Sequence, residues 1–467
     1  MSDYISVQGV FVGVTDTGQG ITADQADTLA GLMAVDATYG TFGEFSSSYW
    51  RGTMLDSVDK LASVSTIQRS RKGEYGFILR LNSNLFDAKP GGLQHLLGIL
   101  CGDLFSLQLE GIKLKSIKIE RVEVPDSWEK LLLSEHRQNA YTIAELRTLF
   151  KLEADEPLLA FSVKPRMGLK REALQALTLE VLRAGFHIVE LDTRNLDLSA
   201  DAVVELIDLA KRAVDIGKQK HVTRFSPNLS LSAPLASELC NKFMTASDPP
   251  VVIKCDGGLD GISTCQSLRA SYRKGNAAKS PVITTYPLLK RVLEDRIGQD
   301  TFLNALIWSG SDIIYPGGAP NLGGAYRQLD HATRDSLARS VERYLGFAKR
   351  GFPMVTVAGG VYAGQLQAYY ELLGPNVAYF LGGAVALHKD GPVEGAKLCV
   401  RIVKEARNLR RKASRGNFAD PLTASLISDA EAAYTAPSGA PPNTFKYISA
   451  AKDLPIAQGL KPWFARA

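Results

Sequence analysis

Leu158–Pro165 reads LLAFSVKP, a β-prone apolar run that ends in a lysine and a proline and is followed by Arg166. Seven more runs of this kind follow: His187–Thr193 (HIVELDT), His221–Asn228 (HVTRFSPN), Pro250–Gly257 (PVVIKCDG), Ser280–Pro287 (SPVITTYP), Ser311–Pro316 (SDIIYP), Pro353–Gly360 (PMVTVAGG) and Val377–Ala384 (VAYFLGGA). Their starts lie about 25–40 residues apart, which leaves room for one helix in each connection, as in βα units. The intervening segments carry apolar residues at helical spacing, as in Arg171–Arg183 (REALQALTLEVLR). Eight such units in about 240 residues predict an α/β fold with a closed (β/α)8 barrel. An open doubly wound sheet is the structural rival, and the regularity of the repeats favours closure.

Outward from this segment the pattern changes. Val7–Val14, Gly76–Leu81 (GFILRL) and Lys113–Val124 (KLKSIKIERVEV) alternate like half-buried strands, with helical patterns near Thr22–Val35 and Leu93–Gly102. They predict a small α+β domain of ferredoxin-like type over residues 1–140, with a polar linker around Glu135–Thr142. The barrel then occupies 141–410. Residues 411–467 are an extension rich in Ser, Ala and Pro, whose segment Thr435–Phe445 (TAPSGAPPNTF) reads as a loop or surface tail.

Composition narrows the functional classes. The chain has 467 residues, 45% hydrophobic and 22% charged, ordinary values for a globular protein. No run of about 18 apolar residues predicts a membrane span, and the first residues show no secretory signal. Five scattered cysteines without a C-x-x-C pair argue against a disulfide framework or structural zinc, and a cytoplasmic location is expected. A net charge of +5 is mild and gives no reason to expect nucleic acid as a partner.

Chemistry in a (β/α)8 barrel sits at the C-terminal strand ends. Those positions hold Lys164 and Arg166, Glu190 and Asp192, Arg224, Ser226 and Asn228, Lys254 and Asp256, Thr284, Thr285 and Tyr286, and Tyr315. The pairs Gly359-Gly360 and Gly382-Gly383 close the last two strands. Glycine pairs let backbone N–H groups approach a phosphate closely; two tight turns are the plainer alternative. So many charges at a barrel mouth must pair with one another, hold a metal or hold an anion. Glu190 and Asp192 alternate on one strand and face one side, which suits Mg2+ or acid–base work. Without a metal, Lys164 or Arg166 is expected to neutralise them. Among the six histidines, His187 and His221 read as structural, and His388 lies close enough to the last glycine pair to reach the site.

These residues, in this order, resemble the RuBisCO large chain, and most of all its RuBisCO-like (form IV) members. FSVKPRMGL (Phe161–Leu169) resembles the KPK-x-GL motif, and AGFHIVELDT (Ala184–Thr193) takes the place of the segment holding the family's metal ligands. FSPNLS (Phe225–Ser230), TYPLL (Thr285–Leu289), DIIYPGG (Asp312–Gly318), VAGG (Val357–Gly360) and LGGAVALHKDGPVEGA (Leu381–Ala396) continue the resemblance. DATYGTF (Asp36–Phe42) and GDLF (Gly102–Phe105) extend it to the front domain.

The departures shape what the resemblance implies. Glu190 stands where the family carries a carbamylated lysine, Asp192 is retained, and Thr193 replaces a glutamate. No lysine carbamylation is therefore expected, and Mg2+ binding is weakened to a possibility at Glu190 and Asp192. The loop lysine that would contact CO2 has no counterpart in PGGAPNLGG (Pro316–Gly324), and Tyr286 and Tyr315 replace histidines. One phosphate site, formed by Gly359, Gly360, Gly382, Gly383 and the front-domain Thr41, is mostly retained. The resemblance thus implies no CO2 fixation. It implies enolase, isomerase or decarboxylase chemistry on a sugar-phosphate-like or sugar-acid-like anion. Lys164 would transfer protons, Glu190 and Asp192 would assist, and Tyr286 or Tyr315 would donate to an enolate. Arg166 and Lys254 would bind substrate charge. It also implies a homodimer, or a multiple of one, in which Asp36, Thr41 and Asp103 complete a neighbouring subunit's site. The alternatives are a non-catalytic small-molecule binder or regulator, and a purely structural role.

Overall fold

In the computed structural model, the eight apolar runs from residue 158 onward become the strands of one parallel sheet. The structure describes residues 4–39, 61–69, 72–86, 92–101, 111–166, 168–191, 199–217, 222–246, 251–257, 261–272, 280–287, 296–316, 331–413 and 417–434. The chain divides into two units, Met1–Gln138 with Leu288–Gly310, and Asn139–Pro287 with Ser311–Ala467.

The first unit runs β1 (Tyr4–Thr15), α1 (Ala23–Tyr39), β2 (Ala62–Gln68), β3 (Glu74–Asn82), α2 (Gly92–Cys101), β4 (Ile112–Glu123) and α3 (Asp126–His136). Its antiparallel sheet has the order β2-β3-β1-β4, the ferredoxin-like arrangement. Ile5, Val7, Gly9 and Phe11 of β1 are buried while the residues between them are not, the period of two that marks a strand with one covered face. Gly9 lies where the ladder to β4 shifts register. A Cβ there would fall 2.4 Å from the Lys118 carbonyl oxygen and 2.5 Å from the Phe77 ring, so only glycine permits this approach. β2 (ASVSTIQ) is the strand the sequence does not announce. It is an edge strand of small hydroxyl residues, and its one large apolar side chain, Ile67, is 65% exposed. The helix Gln299–Trp308 also belongs to this unit: Trp308 packs edge-on against Trp128 and donates to Glu129 Oε1 at 3.0 Å.

The second unit contains β5 (Leu158–Ser162), β6 (Ile188–Glu190), β7 (Arg224–Ser226), β8 (Val252–Gly257), β9 (Val282–Pro287), β10 (Ile313–Ile314), β11 (Met354–Ala358) and β12 (Val377–Phe380). The sheet order is β7-β6-β5-β12-β11-β10-β9-β8. A parallel bridge between Asn228 and Lys254 joins its two ends and closes the barrel. Each strand falls within its expected run, and α5 (Arg171–Arg183) forms over the expected residues. The strands are shorter than the apolar runs because pairing stops where the chain turns out toward each helix.

At the N-terminal end of the barrel, α4 (Ile143–Leu149) begins with a capping box between Thr142 and Glu145. Its Ile143 and Leu146, with Phe150, pack with Leu158, Ile188, Val252, Val282, Ile313 and Met354, the first residues of six strands. Behind them lies a fully buried ion pair between Arg269 and Asp312. Asp312 also accepts from the Tyr141 N–H at 2.6 Å and the Ile283 N–H at 2.8 Å. Arg269 donates further to Ser280 Oγ at 2.8 Å and the Pro281 carbonyl at 2.9 Å. Burial, with the Asp312 charge, pushes the Tyr141 phenol up to about 12. The residues after the helix Pro392–Lys412 pack on the same unit: Gln367 donates to the Asp420 carbonyl, and Tyr434 donates to the Ala384 carbonyl at 2.6 Å.

Asp312→Ala leaves the Arg269 guanidinium buried without its counter-charge, and urea unfolding should show a loss of about 3–5 kcal/mol. The double variant Arg269→Met/Asp312→Leu should regain most of that loss. A single variant as stable as the parent would mean that this end of the barrel does not depend on the pair.

Candidate functional site

Side chains alternate between the inside and outside of a barrel along each strand. In β8, Lys254 and Asp256 share one side, with Cys255 between them on the other. In β9, Thr284 and Tyr286 likewise alternate with Thr285. The register pairs Lys254 with Thr284 and Asp256 with Tyr286, while Glu190 pairs with Ser162 on one side and Ser226 on the other. These pairings bring polar residues from five strands to the C-terminal end of the barrel.

Glu190 is the centre of the cluster and has no exposed surface. Its Oε2 accepts from Thr284 Oγ1 at 2.6 Å, and its Oε1 accepts from the Tyr315 hydroxyl at 3.0 Å. Lys254 Nζ lies 3.4 Å from Glu190 Oε1 and 3.7 Å from Asp256 Oδ1, with only 1% of its side chain exposed. The ammonium also lies 5.5 Å from the Tyr286 ring centre and 5.8 Å from that of Tyr315. Both rings are within cation–π range. Asp256 Oδ2 accepts from Asn228 Nδ2 at 3.1 Å, and its backbone N–H donates to Ser230 Oγ at 2.7 Å. Ser230 in turn donates to Asn228 Oδ1 at 2.6 Å. Burial pushes the Glu190 carboxyl above the ordinary carboxylate range, while Lys254, Thr284 and Tyr315 pull it back.

The other expected residues are placed as follows. Tyr315 is buried, with its ring edge-on to Tyr286 and Phe380, and its hydroxyl is 3.4 Å from Ser162 Oγ. Tyr286 is at the rim and 39% exposed. Lys164, partly buried, runs along Gly382: a Cβ added there would lie 3.2 Å from Lys164 Cε. Arg166 is exposed. Gly359 and Gly360 adopt left-handed φ of +84° and +70° and are exposed, while Gly382 and Gly383 are half-buried. Asp36 lies in α1 of the first unit. Asp192, Thr41 and Asp103 fall outside the described residues, as does His221. His187 accepts from the Leu159 N–H at 3.0 Å. His388 accepts from the Asp390 N–H at 3.1 Å, and its ring meets Tyr434.

Two features differ from the sequence expectation. The cation placed against Glu190 is Lys254, two strands away, rather than Lys164 or Arg166. Lys254 itself is turned toward Glu190 and Asp256. The signal was a lysine two residues before an aspartate in an otherwise apolar strand, but only the closed barrel shows that both face Glu190.

Both oxygens of Glu190 accept hydrogen bonds, and the Lys254 ammonium lies 3.4 Å from Oε1 and would compete with a divalent metal for it; Asp192, the other expected ligand, lies outside the described residues. Among the described residues, no group of three His, Cys, Asp or Glu side chains could hold a metal ion. Nor is any helix among them long and apolar enough to cross a membrane.

Glu190 ties the site to pH. Its folded pKa is raised, so the native state holds this proton where the unfolded chain, near 4.5, releases it. Its contribution to stability is present below that value and is lost as pH rises toward the folded pKa. Thermal unfolding across this window should show a flatter pH dependence for Glu190→Gln than for the parent. Parallel curves would contradict the buried placement of this carboxyl.

No family model matches the chain. The ribulose bisphosphate carboxylase of Thermococcus kodakarensis is 24% identical over 408 residues, covering 81% of this chain and 84% of the relative. The octameric ribulose-1,5-bisphosphate carboxylase/oxygenase of Pyrococcus horikoshii superposes with a TM-score of 0.69 at 17% identity, covering 92% of both chains. A dimeric archaeal Rubisco from Hyperthermus butylicus gives a TM-score of 0.67 at 17% identity, covering 87% of this chain and 92% of the other. A rubisco-like protein from Burkholderia fungorum gives 0.63 at 16% identity, covering 88% and 95%. Fold and sequence together make the chain a divergent, RuBisCO-like relative of the ribulose bisphosphate carboxylase large chain.

Proposed function

We propose that the chain is a RuBisCO-like enzyme without CO2-fixing activity. It would catalyse enolisation, isomerisation or decarboxylation of a sugar-phosphate-like or sugar-acid-like anion in the cytoplasm. The observation that supports this reading is the polar layer at one barrel end, where Glu190, Lys254, Tyr286 and Tyr315 come together, with Lys164 following the end of β5. A layer this polar is costly to maintain in a barrel interior, and functional sites are where such groups gather.

Roles follow from placement. Lys164 follows the end of β5 with its stem against Gly382. It is the proton-transferring group in this reading. The exposed Gly359-Gly360 turn and the Gly382-Gly383 pair leave backbone open to one anionic end of the substrate, with Arg166 at the rim. Tyr286 is the exposed hydroxyl nearest the buried cluster and is suited to donate to an enolate oxygen. Glu190 holds Tyr315 and Lys254 in place beneath it.

Solvent deuterium exchange into candidate sugar phosphates and sugar acids, followed by NMR, tests the reading. The parent protein should exchange a carbon-bound proton next to a carbonyl or carboxylate. Lys164→Ala should slow exchange by about 10²–10⁴-fold while still binding the ligand. Binding without exchange by the parent would make the protein a small-molecule binder instead.

The dimeric and octameric relatives support self-association as a homodimer or a multiple of one. Light scattering should give a mass of at least twice 50.6 kDa. A monomer at micromolar concentration would remove this part of the proposal.

A further inference from the structure

We propose that this barrel carries its own cation, the Lys254 ammonium, seated between Glu190 and Asp256, and that this built-in charge excludes a divalent metal from the site. Three observations carry the inference. The first is convergence: carboxylates from β6 and β8 reach the same nitrogen, at 3.4 Å and 3.7 Å. The second is enclosure. Glu190 is fully buried, Lys254 is 1% exposed, and the rings of Tyr286 and Tyr315 stand within cation–π distance of the ammonium. The third is fixation. The Lys254 backbone makes the bridge that closes the barrel, donating to the Pro227 carbonyl at 2.9 Å and accepting from the Leu229 N–H at 2.8 Å.

The charges explain why the two cations exclude one another. Lys254 and a divalent ion would compete for the same carboxylate oxygens. With both present, a unit charge and a double charge would lie a few ångströms apart in a poorly solvated interior. Even two unit charges 4 Å apart repel by about 4 kcal/mol near a protein surface. A metal can therefore enter only if the ammonium moves away from both carboxylates. Thr284 and Tyr315 each donate to one oxygen of Glu190, and Asn228 donates to Asp256 Oδ2.

A consequence for catalysis rests on the proposed function: any proton transfer at this site runs without a divalent metal and resists chelators. The cation site itself does not depend on that reading, and its test uses no substrate. Mn2+ and Mg2+ are titrated calorimetrically into the parent protein, Lys254→Gln and Glu190→Gln/Lys254→Gln, with electron paramagnetic resonance to count bound Mn2+.

The parent should bind neither ion at this site. Lys254→Gln frees both carboxylates and should bind Mn2+ at least about a hundredfold more tightly than the parent. The double variant should lose that gain. Two results would overturn the proposal: Mn2+ binding by the parent that Glu190→Gln abolishes, or a folded Lys254→Gln protein with no gain. If Lys254→Gln does not fold alone, refolding it with Mn2+ or Mg2+ asks the same question. Rescue by either ion supports the shared site, and failure of both overturns it.

Discussion

A glutamate with no contact with solvent can keep its charge inside a parallel barrel only if a cation comes to it. Here the cation is Lys254, and this pairing sets much of the geometry around it. The β7–β8 seam is where the eight-stranded ring is joined by a single described bridge rather than a named ladder, and Lys254 makes that bridge with its backbone. Its side chain then spans the barrel end to reach Glu190 on β6. One residue therefore closes the ring and supplies its interior charge. Substitutions at Lys254 must be judged on both counts, since an uncompensated carboxylate and a weakened seam would arise together.

The hydrogen bonds around the pair are arranged to hold it still. Asn228 accepts from Ser230 through one side-chain atom and donates to Asp256 through the other. Ser230 accepts from the Asp256 backbone. This short cycle fixes the second carboxylate beside the ammonium. Thr284 and Tyr315 fix the first. A polar network in a low-dielectric interior gains from each bond of this kind, because an unmet group there is expensive. The opposite end of the barrel uses the same device with Arg269 and Asp312, whose partners include the Pro281 carbonyl and the Ile283 N–H at the start of β9.

The barrel was legible because its signal is repetitive. Eight buried runs with helices between them leave few other folds, and small errors at run ends do not change the count. β2 was not legible, because an edge strand of serines and threonines lacks the alternation that marks β1 and β3. The site was legible as a set of strand-end residues but not as a set of pairs. Glu190 and Lys254 are 64 positions apart in the chain, and nothing local tells which of several lysines faces the glutamate. Reading Glu190 with Asp192 was a local inference from one strand. The pairing with Lys254 is a property of ring closure, and it follows only from which strand lies next to which.

The pattern of charge also gives the mouth a direction. With Glu190 and Asp256 ionised, the buried trio carries one net negative charge, shared out over the donors from Thr284, Tyr315 and Asn228. An anionic group gains nothing by entering that layer. Positive charge stands further out, on Lys164 beside Gly382 and on exposed Arg166. In the proposed reading, a ligand with one anionic end would be drawn to the rim, against Arg166 and the open glycine backbone, with its uncharged part toward Lys164 and the tyrosine pair. The hydroxyl and ring of Tyr286 form the boundary between the two layers, half-exposed on one side and over the ammonium on the other.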